Sequence, residues 1–335
     1  MFYRNEIGID LGTANVLVYI KDKGVVLNEP SVVAVEKKTG KLLAVGKEAK
    51  DMLGRSPGNI NVVRPLRNGV ISDFNITVKM LRHFINITCG KRRFFRPSIM
   101  VCVPGGVTTV ERKAVVDATY GAGGAKIYLI DEPTAAAVGA GIDIDAPDGH
   151  MVVDIGGGTT DIAVISLGGS VAEASIKVAG ESFNAAIQRK IKKDYGVLIG
   201  ERTAEEIKMS MGTVDPMREN VFMDIRGRQI VTGMPENIVI SSRSLVEALS
   251  EPLMLIVDAI KHVFEKTPPE ISSDILHNGI VLTGGGALLH GIDEVVARHT
   301  GVPCYVAENA DECVAIGTGL YLDKYGNGKL AAEKF

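Results

Sequence analysis

Several features that mark whole classes of protein are missing from this chain of 335 residues. No segment approaches the ~18 consecutive apolar residues that would span a bilayer. The first ten residues include Glu6 and Asp10 and lack a long apolar stretch, so no signal peptide is expected. The formal net charge of −3 leaves no basic excess for a nucleic-acid partner, and no acidic tail indicates disorder.

Familiar metal and nucleotide motifs are missing as well. The four cysteines show neither a C-x-x-C spacing nor a matching histidine pattern, which favours free buried thiols over metal ligands. The chain has no G-x-x-x-x-G-K-[ST] and no G-x-G-x-x-G that opens a helix after a strand. We therefore expect neither a P-loop NTPase nor a dinucleotide-dependent oxidoreductase.

What is present is an alternation of strand-like and helical segments, which predicts an α/β protein. The length exceeds what one hydrophobic core usually supports, so two domains that share a cleft are expected. The predicted helices are Ser182–Tyr195, Thr203–Met211, Ser244–Lys266, one opening near Thr108 and one from Leu288. The predicted strands are Ile7–Asp10, Val16–Ile20, Ser31–Val35, Lys41–Val45, Ile99–Val103, Met151–Asp154, Ile162–Ser166 and Gly279–Thr283.

One local pattern occurs twice. Residues 7–13 (IGIDLGT) and 152–159 (VVDIGGGT) each form an apolar strand, a terminal Asp and a glycine turn with a hydroxyl residue. In a glycine turn, successive backbone N–H groups point in the same direction and form an anion-binding concavity. Glycine also lets the backbone approach a phosphate closely, because it has no Cβ. The repeat predicts two related domains, each contributing one strand-turn-strand phosphate clamp to a central nucleotide cleft. Chance similarity between two short segments is the alternative.

The Asp residues of the two turns indicate a metal. Asp10 and Asp154 would repel a phosphate, so their presence makes sense if a divalent cation, Mg²⁺ with retained waters, lies between them and the phosphates. The alternative is that each carboxylate caps its own turn. A third cluster, Gly284 to Gly286, follows a strand and could offer N–H groups to an anion or a flat backbone surface to a base.

Four motifs, in this order, resemble the actin, heat-shock chaperone and sugar-kinase ATPase superfamily: residues 10–15 (DLGTAN), 131–137 (DEPTAAA), 154–161 (DIGGGTTD) and 282–287 (LTGGGA). Four more resemble the bacterial actin family of MreB and Mbl: residues 28–34 (NEPSVVA), 64–71 (RPLRNGVI), 199–205 (IGERTAE) and 313–319 (CVAIGTG). The resemblance covers essentially the whole chain and implies an actin-like ATPase fold.

The resemblance also implies roles for individual residues. Glu132 would orient the attacking water with Thr159 nearby, although a carboxylate ahead of Pro133 also suits a helix N-terminus. Asp131 departs from the Glu that many relatives carry there, which should matter little. Asp10 and Asp154 would hold Mg²⁺ through water. The implied nucleotide-binding residues are Gly12, Thr13, Ala14, Asn15, Gly156, Gly157, Gly158, Thr160, Ala204, Glu205, Glu206, Ile207, Lys208, Gly284, Gly285, Gly286 and Ala287.

Four subdomains are implied in the same way. Two larger subdomains would flank the cleft, and each of the other two would be a small insertion in the chain. The expected ranges are 1–30, 71–142 and 317–335 for subdomain IA, 31–70 for IB, 143–180 and 243–316 for IIA, and 181–242 for IIB.

The segment at residues 91–97 (KRRFFRP) places Phe94 and Phe95 among cations that include Arg92 and Arg93. Burial of two exposed Phe side chains at the boundary of the acyl chains could contribute ~3–6 kcal/mol to membrane binding. Each basic neighbour would add roughly 1 kcal/mol of binding free energy on an anionic leaflet. Packing of both rings into the core is the alternative. The resemblance favours the membrane, because proteins of this family insert a hydrophobic loop here into the inner leaflet.

The expected function is that of a cytoplasmic bacterial actin, peripherally bound to the inner face of the cell membrane, that hydrolyses ATP with Mg²⁺. The resemblance implies paired protofilaments, partners in the cell-elongation machinery and a role in rod shape, with no nucleic acid. A small-molecule kinase of sugar type on the same fold is the main alternative. A chaperone-type ATPase is disfavoured because no peptide-binding domain is expected, and the detailed motifs disfavour a plasmid-segregating or division filament.

Overall fold

Strand-forming and helix-forming segments alternate along the chain. The computed structural model describes residues 6–90 and 96–325. These residues form two large sheets with helices on their faces. The first elements are β1 (Glu6–Leu11), β2 (Asn15–Ile20), β3 (Gly24–Pro30), β4 (Val33–Glu36), β5 (Leu42–Val45), α1 (Lys47–Asp51), β6 (Ile60–Val63), β7 (Leu66–Arg67), β8 (Val70–Ile71), α2 (Phe74–Cys89), β9 (Ser98–Val103), α3 (Thr109–Ala122), β10 (Lys126–Asp131) and α4 (Glu132–Gly139). The remaining ones are β11 (His150–Ile155), β12 (Thr160–Ser166), β13 (Gly169–Ile176), α5 (Gly180–Tyr195), β14 (Val197–Leu198), α6 (Glu201–Met211), β15 (Phe222–Gln229), β16 (Pro235–Ser241), α7 (Ser242–Lys266), α8 (Pro269–Asn278), β17 (Ile280–Thr283), a 3₁₀ helix (Gly285–Leu288), α9 (Ile292–Thr300), β18 (Cys304–Val306) and α10 (Cys313–Tyr325).

The two large sheets share one topology. Written from corresponding edges, their strand orders are β10-β9-β1-β2-β3 and β18-β17-β11-β12-β13. In the first sheet β1, β2 and β3 are antiparallel neighbours, whereas β9 and β10 run parallel to β1. In the second sheet β11, β12 and β13 are antiparallel and β17 and β18 run parallel to β11. The predicted α/β fold with two related domains is confirmed, although β3, β10, β13 and β18 were not predicted from the sequence.

Two smaller sheets interrupt these halves. The sheet β5-β4-β6, with α1 beside it, lies between β3 and α2 in the chain, and the sheet β14-β15-β16 lies between β13 and α7. They fall within the two segments predicted as insertions, 31–70 and 181–242. The boundaries of the four subdomains stay a prediction.

Sequence periodicity located the long helices well. The predicted helices at α5, α6 and α7 end at Tyr195, Met211 and Lys266 as expected, and each begins two residues earlier than predicted because a polar first turn shows no apolar periodicity. The capping box that opens α3 is confirmed: Thr108 and Glu111 exchange hydrogen bonds.

The prediction of a helix beginning at Leu288 was wrong. Residues Gly285–Leu288 form a 3₁₀ turn, and the α-helix begins only at Ile292. Gly284 and Gly291, on either side of the turn, have φ values of 80° and 82°. Only glycine adopts this left-handed backbone readily. The turn at Gly291 falls inside the expected helix, so the α-helix begins only after it.

An apolar layer joins the two halves at the base of the molecule. Met100 on the first sheet and Val152 on the second lie in one buried cluster with Ala136 of α4 and Val314 of α10. Helices α4 and α10 pack so closely that a Cβ at Gly317 would overlap the carbonyl group of Ala135. The two sheets are therefore held together by close hydrophobic packing on one side of the cleft.

Within the described ranges, no helix is both long enough and apolar enough to cross a membrane.

Candidate functional site

A cavity of about 540 Å³ opens between the two sheets. Both glycine turns, the third glycine cluster, the start of α5 and one face of α6 line it. This volume falls in the range that small-molecule and cofactor sites occupy in proteins.

The first glycine turn joins β1 to β2 and is braced from two neighbouring segments. The Ser31 hydroxyl donates to the carbonyl oxygen of Gly12 at 2.6 Å, and the Gly69 N–H donates to the Thr13 hydroxyl at 2.9 Å. The Asn15 side-chain amide donates to the Asn28 side chain at 2.7 Å. These bonds hold the turn in one conformation and leave its backbone facing the cavity.

The second glycine turn joins β11 to β12 and leads directly to a helix N-terminus. The Gly156 N–H donates to the Thr159 carbonyl at 2.9 Å, which closes the turn. The first N–H groups of α5, at Gly180 and Glu181, donate to the carbonyls of Gly156 and Gly157 at 3.0 and 2.8 Å. The positive end of the α5 dipole therefore lies beside the turn, where it favours an anionic ligand.

The two turns face each other at contact distance. A Cβ added to Gly157 would lie 2.6 Å from the Cβ of Ala14, and one added to Gly158 would lie 2.7 Å from the Thr13 hydroxyl oxygen. Real Cβ atoms do not tolerate such distances, so glycine is required at both positions. The duplicated clamps therefore form one continuous surface, as the repeat predicted.

Four carboxyl groups collect beneath the clamps, from the carboxyl ends of β1 and β11, the start of α4 and the first residues of β12. Burial raises the pKa of Asp10 to about 6, of Asp154 to about 7 and of Asp161 to about 6. Burial, together with the negative charges of Asp161, Asp10 and Asp154, raises the pKa of Glu132 well above its usual range.

Among the described residues, these carboxyl groups have polar partners but no basic side chain paired with them. The Thr283 hydroxyl donates to Asp154 at 2.8 Å, and the Gly105 N–H donates to Asp161 at 2.7 Å. Within residues 6–90 and 96–325, no Lys, Arg or His forms an ion pair with any of the four. A cluster of buried oxygen donors without a basic partner fits a hard divalent cation such as Mg²⁺.

A thiol completes the floor of the site. Cys102 on β9 is buried, and its Sγ lies 3.3 Å from Asp10 Oδ1. Ligand atoms of Asp10, Cys102 and Glu132 all lie within 4.8 Å of one another. Burial and the neighbouring carboxylates raise the pKa of this thiol well above its usual range, so it stays protonated as a weak donor to Asp10. All four cysteines are free.

One side wall of the cavity is the face of α6 that carries Glu205 and Lys208. The Lys208 ammonium donates to the Gly180 carbonyl at 3.0 Å, which ties this wall to the start of α5. The third glycine cluster, Gly284 to Gly286, forms the opposite wall as a 3₁₀ turn. An aliphatic rim continues this wall through Leu288 and Leu289.

Most of the predicted site residues line this cavity together. They are Asp10, Gly12, Thr13, Ala14, Asn15, Glu132, Asp154, Gly156, Gly157, Gly158, Thr159, Glu205, Lys208, Gly284, Gly285 and Gly286.

Five predicted residues do not line the cavity. Ala204 and Ile207 are fully buried in the core, because a helix turns residues one and two positions away from Glu205 onto other faces. Glu206 is exposed and pairs with Arg202 at 2.9 Å. The Thr160 hydroxyl donates to the Val178 carbonyl at 2.7 Å, and Ala287 packs in the core.

Several lining residues were not predicted from the sequence. Their polar members come from segments without a glycine motif, and only their place in the fold brings them to the cavity. Asp161 lies in the carboxyl cluster and not in the lining, and it could have been found because it ends the second motif and follows the turn directly. The unpredicted polar lining residues are Asn28, Arg64, Glu181, Asn184, Arg218, His290 and Asp311.

The residues predicted to contact a membrane, Arg92, Arg93, Phe94 and Phe95, lie outside the described residues.

Comparison with known proteins agrees with this geometry. Residues 4–329 match the family described as MreB/Mbl protein. The chain is 54% identical over 323 residues to the cell shape-determining protein Mbl of Bacillus subtilis, covering 96% of this chain and 97% of that one. It is 48% identical over 327 residues to the cell shape-determining protein MreB of Escherichia coli K12, covering 96% and 94%. The crystal structure of MreB 5 of Spiroplasma citri bound to AMPPNP matches with a TM-score of 0.92 at 39% identity, covering 97% and 98%.

Two sheets of identical topology with paired glycine turns and carboxylates between them define an actin-like nucleotide-binding protein. Within that class, the chain belongs to the MreB/Mbl family, which confirms the resemblance seen in its motifs.

Proposed function

We propose that this chain is an ATP-hydrolysing bacterial actin that determines cell shape by assembling into filaments. The observation that carries the proposal is the contact between the two glycine turns above a cluster of buried carboxyl groups. Such a site binds a chain of phosphates through backbone N–H groups and suits phosphoryl transfer, which needs positioning and charge stabilisation more than covalent help. The family membership supports the same function.

The residues around the cavity have separate roles in this function. The turns at Gly12–Asn15 and Gly156–Thr159 hold the phosphates from two sides. Asp10 and Asp154 would hold Mg²⁺, and the ion would supply positive charge that offsets the repulsion among the carboxylates and phosphates. Glu132, at the first position of α4, orients the attacking water together with the Thr159 hydroxyl. Glu205 and Lys208 contact the nucleoside.

Membership of the family supports a proposal for the larger assembly. The chain forms paired protofilaments, contacts proteins of the cell-elongation machinery and binds the inner face of the cell membrane through Phe94 and Phe95. Its relatives are named for cell shape, and MreB 5 of Spiroplasma citri has been crystallised both with AMPPNP and with ADP. A sugar-type kinase on the same fold is not favoured, because the family match extends over nearly the whole chain.

Sedimentation tests the filament directly. With ATP and Mg²⁺ the wild-type chain should pellet at high speed above a critical concentration, and without nucleotide it should stay in the supernatant. Hydrolysis releases phosphate in the same tubes. A chain that hydrolyses ATP only when a sugar is added, and never pellets, would support the kinase.

A parallel set of tubes with anionic liposomes tests the membrane contact. The wild-type chain should float with the vesicles, and the Phe94→Ala/Phe95→Ala variant should lose most of that binding while it still pellets with ATP. Equal flotation of both proteins would contradict the assignment of these two residues and leave the filament result standing.

A further inference from the structure

The mouth of the cavity is crossed by ion pairs. Lys50 on α1 pairs with Glu205 on α6 at 2.8 Å, and Asp51 on α1 pairs with Arg202 on α6 at 3.0 Å. Helix α1 belongs to the 31–70 segment and α6 to the 181–242 segment, so both pairs join chain segments on opposite sides of the cleft.

A third cation completes the connection. Arg64, which follows β6, lies 2.7 Å from Glu201 at the start of α6 and 3.4 Å from Glu181 in the first turn of α5. Its side chain is 18% exposed, the lowest exposure in the network. We call the residues Lys50, Asp51, Arg64, Glu181, Glu201, Arg202 and Glu205 the charge bridge.

The charge bridge is also part of the cavity wall. Arg64, Glu181 and Glu205 line the cavity themselves. The Lys208 ammonium lies beside them, where it donates to the Gly180 carbonyl. Any movement that separates the two sides of the bridge therefore opens the wall of the cavity at the same place.

Apolar packing does not hold the mouth. The described 31–70 residues pack in clusters around Val32 and Val33, whereas the described 181–242 residues pack in a separate cluster around Phe183. Among the described residues, none of the hydrophobic clusters contains members of both segments. The apolar layer with α4 and α10 joins the halves only at the base.

The two sides of the cleft are thus joined by hydrophobic packing at the base and by ion pairs at the mouth. Partly exposed ion pairs are individually weak and are screened by salt, so they can open without disturbing the core. We propose that the charge bridge is a latch that sets the rate at which nucleotide leaves the cavity. This inference rests on the proposed nucleotide site and adds its regulation.

The pair Asp51–Arg202 offers the cleanest test, because both residues are exposed and neither lines the cavity. Release of a fluorescent ADP analogue is measured by stopped flow after mixing with excess ATP, with Mg²⁺ present. Arg202→Asp places its carboxylate opposite Asp51 and also removes the partner of Glu206 within α6, and the release rate should rise roughly three- to tenfold. The double variant Asp51→Arg/Arg202→Asp restores an opposite-charge pair and should return the rate to near the wild-type value.

A matched control separates the latch from net charge. Arg189 on α5 pairs with Glu251 on α7 at 3.4 Å, and both residues are exposed and do not line the cavity. Arg189→Asp changes the net charge identically and should leave release unchanged. Circular dichroism checks that each variant is folded. Should Arg202→Asp fail to fold, Asp51→Arg serves in its place, since it brings two cations together at the same contact.

Salt provides an independent readout on the wild-type chain. Raising the salt concentration screens the charge bridge, so wild-type release should accelerate, and the acceleration should be smaller in Arg202→Asp. Equal release rates in wild type, Arg202→Asp and Arg189→Asp, with no salt dependence, would overturn the latch. Failure of the wild-type chain to bind the analogue at all would instead contradict the proposed nucleotide site.

Discussion

Replacing Glu132 by glutamine should lower the rate of ATP hydrolysis by roughly a hundredfold or more. Glu132 is buried at the start of α4, within the carboxyl cluster below the clamps, where a carboxylate can orient a water for attack. Glutamine has nearly the same shape but cannot accept a proton. The turns that hold the phosphates are untouched, so the affinity for ATP should change little. Phosphate release under single-turnover conditions, together with an ATP-binding titration, measures both quantities.

Asp131→Asn is the matched control for this experiment. It makes the same change from carboxyl to carboxamide one residue earlier, but Asp131 pairs with Arg112 and does not line the cavity. Hydrolysis by Asp131→Asn should stay close to wild type. If Glu132→Gln hydrolyses ATP as fast as the control, Glu132 has no part in the chemical step.

Replacing Asp154 by asparagine should stabilise the empty protein at alkaline pH while it weakens the binding of ATP with Mg²⁺. Burial raises the pKa of Asp154 from 3.8 to about 7. A carboxyl group with a raised folded-state pKa stabilises the fold fully below pH ~4, and this contribution is lost as the pH rises through ~7. At pH 8 the wild-type chain must therefore bury a charge that asparagine lacks, at a cost of roughly 2–4 kcal/mol. Asparagine can still accept the Thr283 hydrogen bond.

Urea unfolding at pH 8 and pH 5, without nucleotide or divalent cation, measures this effect. The gain in unfolding free energy of Asp154→Asn over wild type should be large at pH 8 and should shrink at pH 5. Asp258→Asn, on the exposed face of α7, should show no comparable gain at either pH. A wild-type chain as stable as Asp154→Asn at pH 8 would mean that burial does not raise the pKa of Asp154 in the empty state.

The sequence alone predicted the duplicated architecture because the signals were local. Glycine turns, strand-ending aspartates and the capping box at Thr108 each depend on a few consecutive residues. The pairing of the turns across the cleft followed from their repetition. Family motifs then assigned a run of residues around Glu205 to the nucleotide site.

Features that depend on tertiary packing could not be predicted in the same way. The run from Ala204 to Lys208 was assigned as a block, but a helix presents only some of its residues to a cavity, and which face it presents depends on its neighbours. Arg64 reaches the site across the cleft from another segment, with no motif that links it to α6. The 3₁₀ turn at Gly285 differs from the expected helix because glycine on both sides permits left-handed backbone.

The central claim is that nucleotide phosphates lie between the two glycine turns, and an ATP-binding titration of Gly158→Val in the presence of Mg²⁺ tests it most directly. A Cβ at Gly158 would lie 2.7 Å from the Thr13 hydroxyl and 3.0 Å from the Asn68 backbone, so the turns must move apart. The expected loss of affinity is about 10- to 100-fold. Gly169→Val, where a Cβ meets open space, should bind ATP like the wild type. Wild-type affinity in a folded Gly158→Val protein would contradict the account.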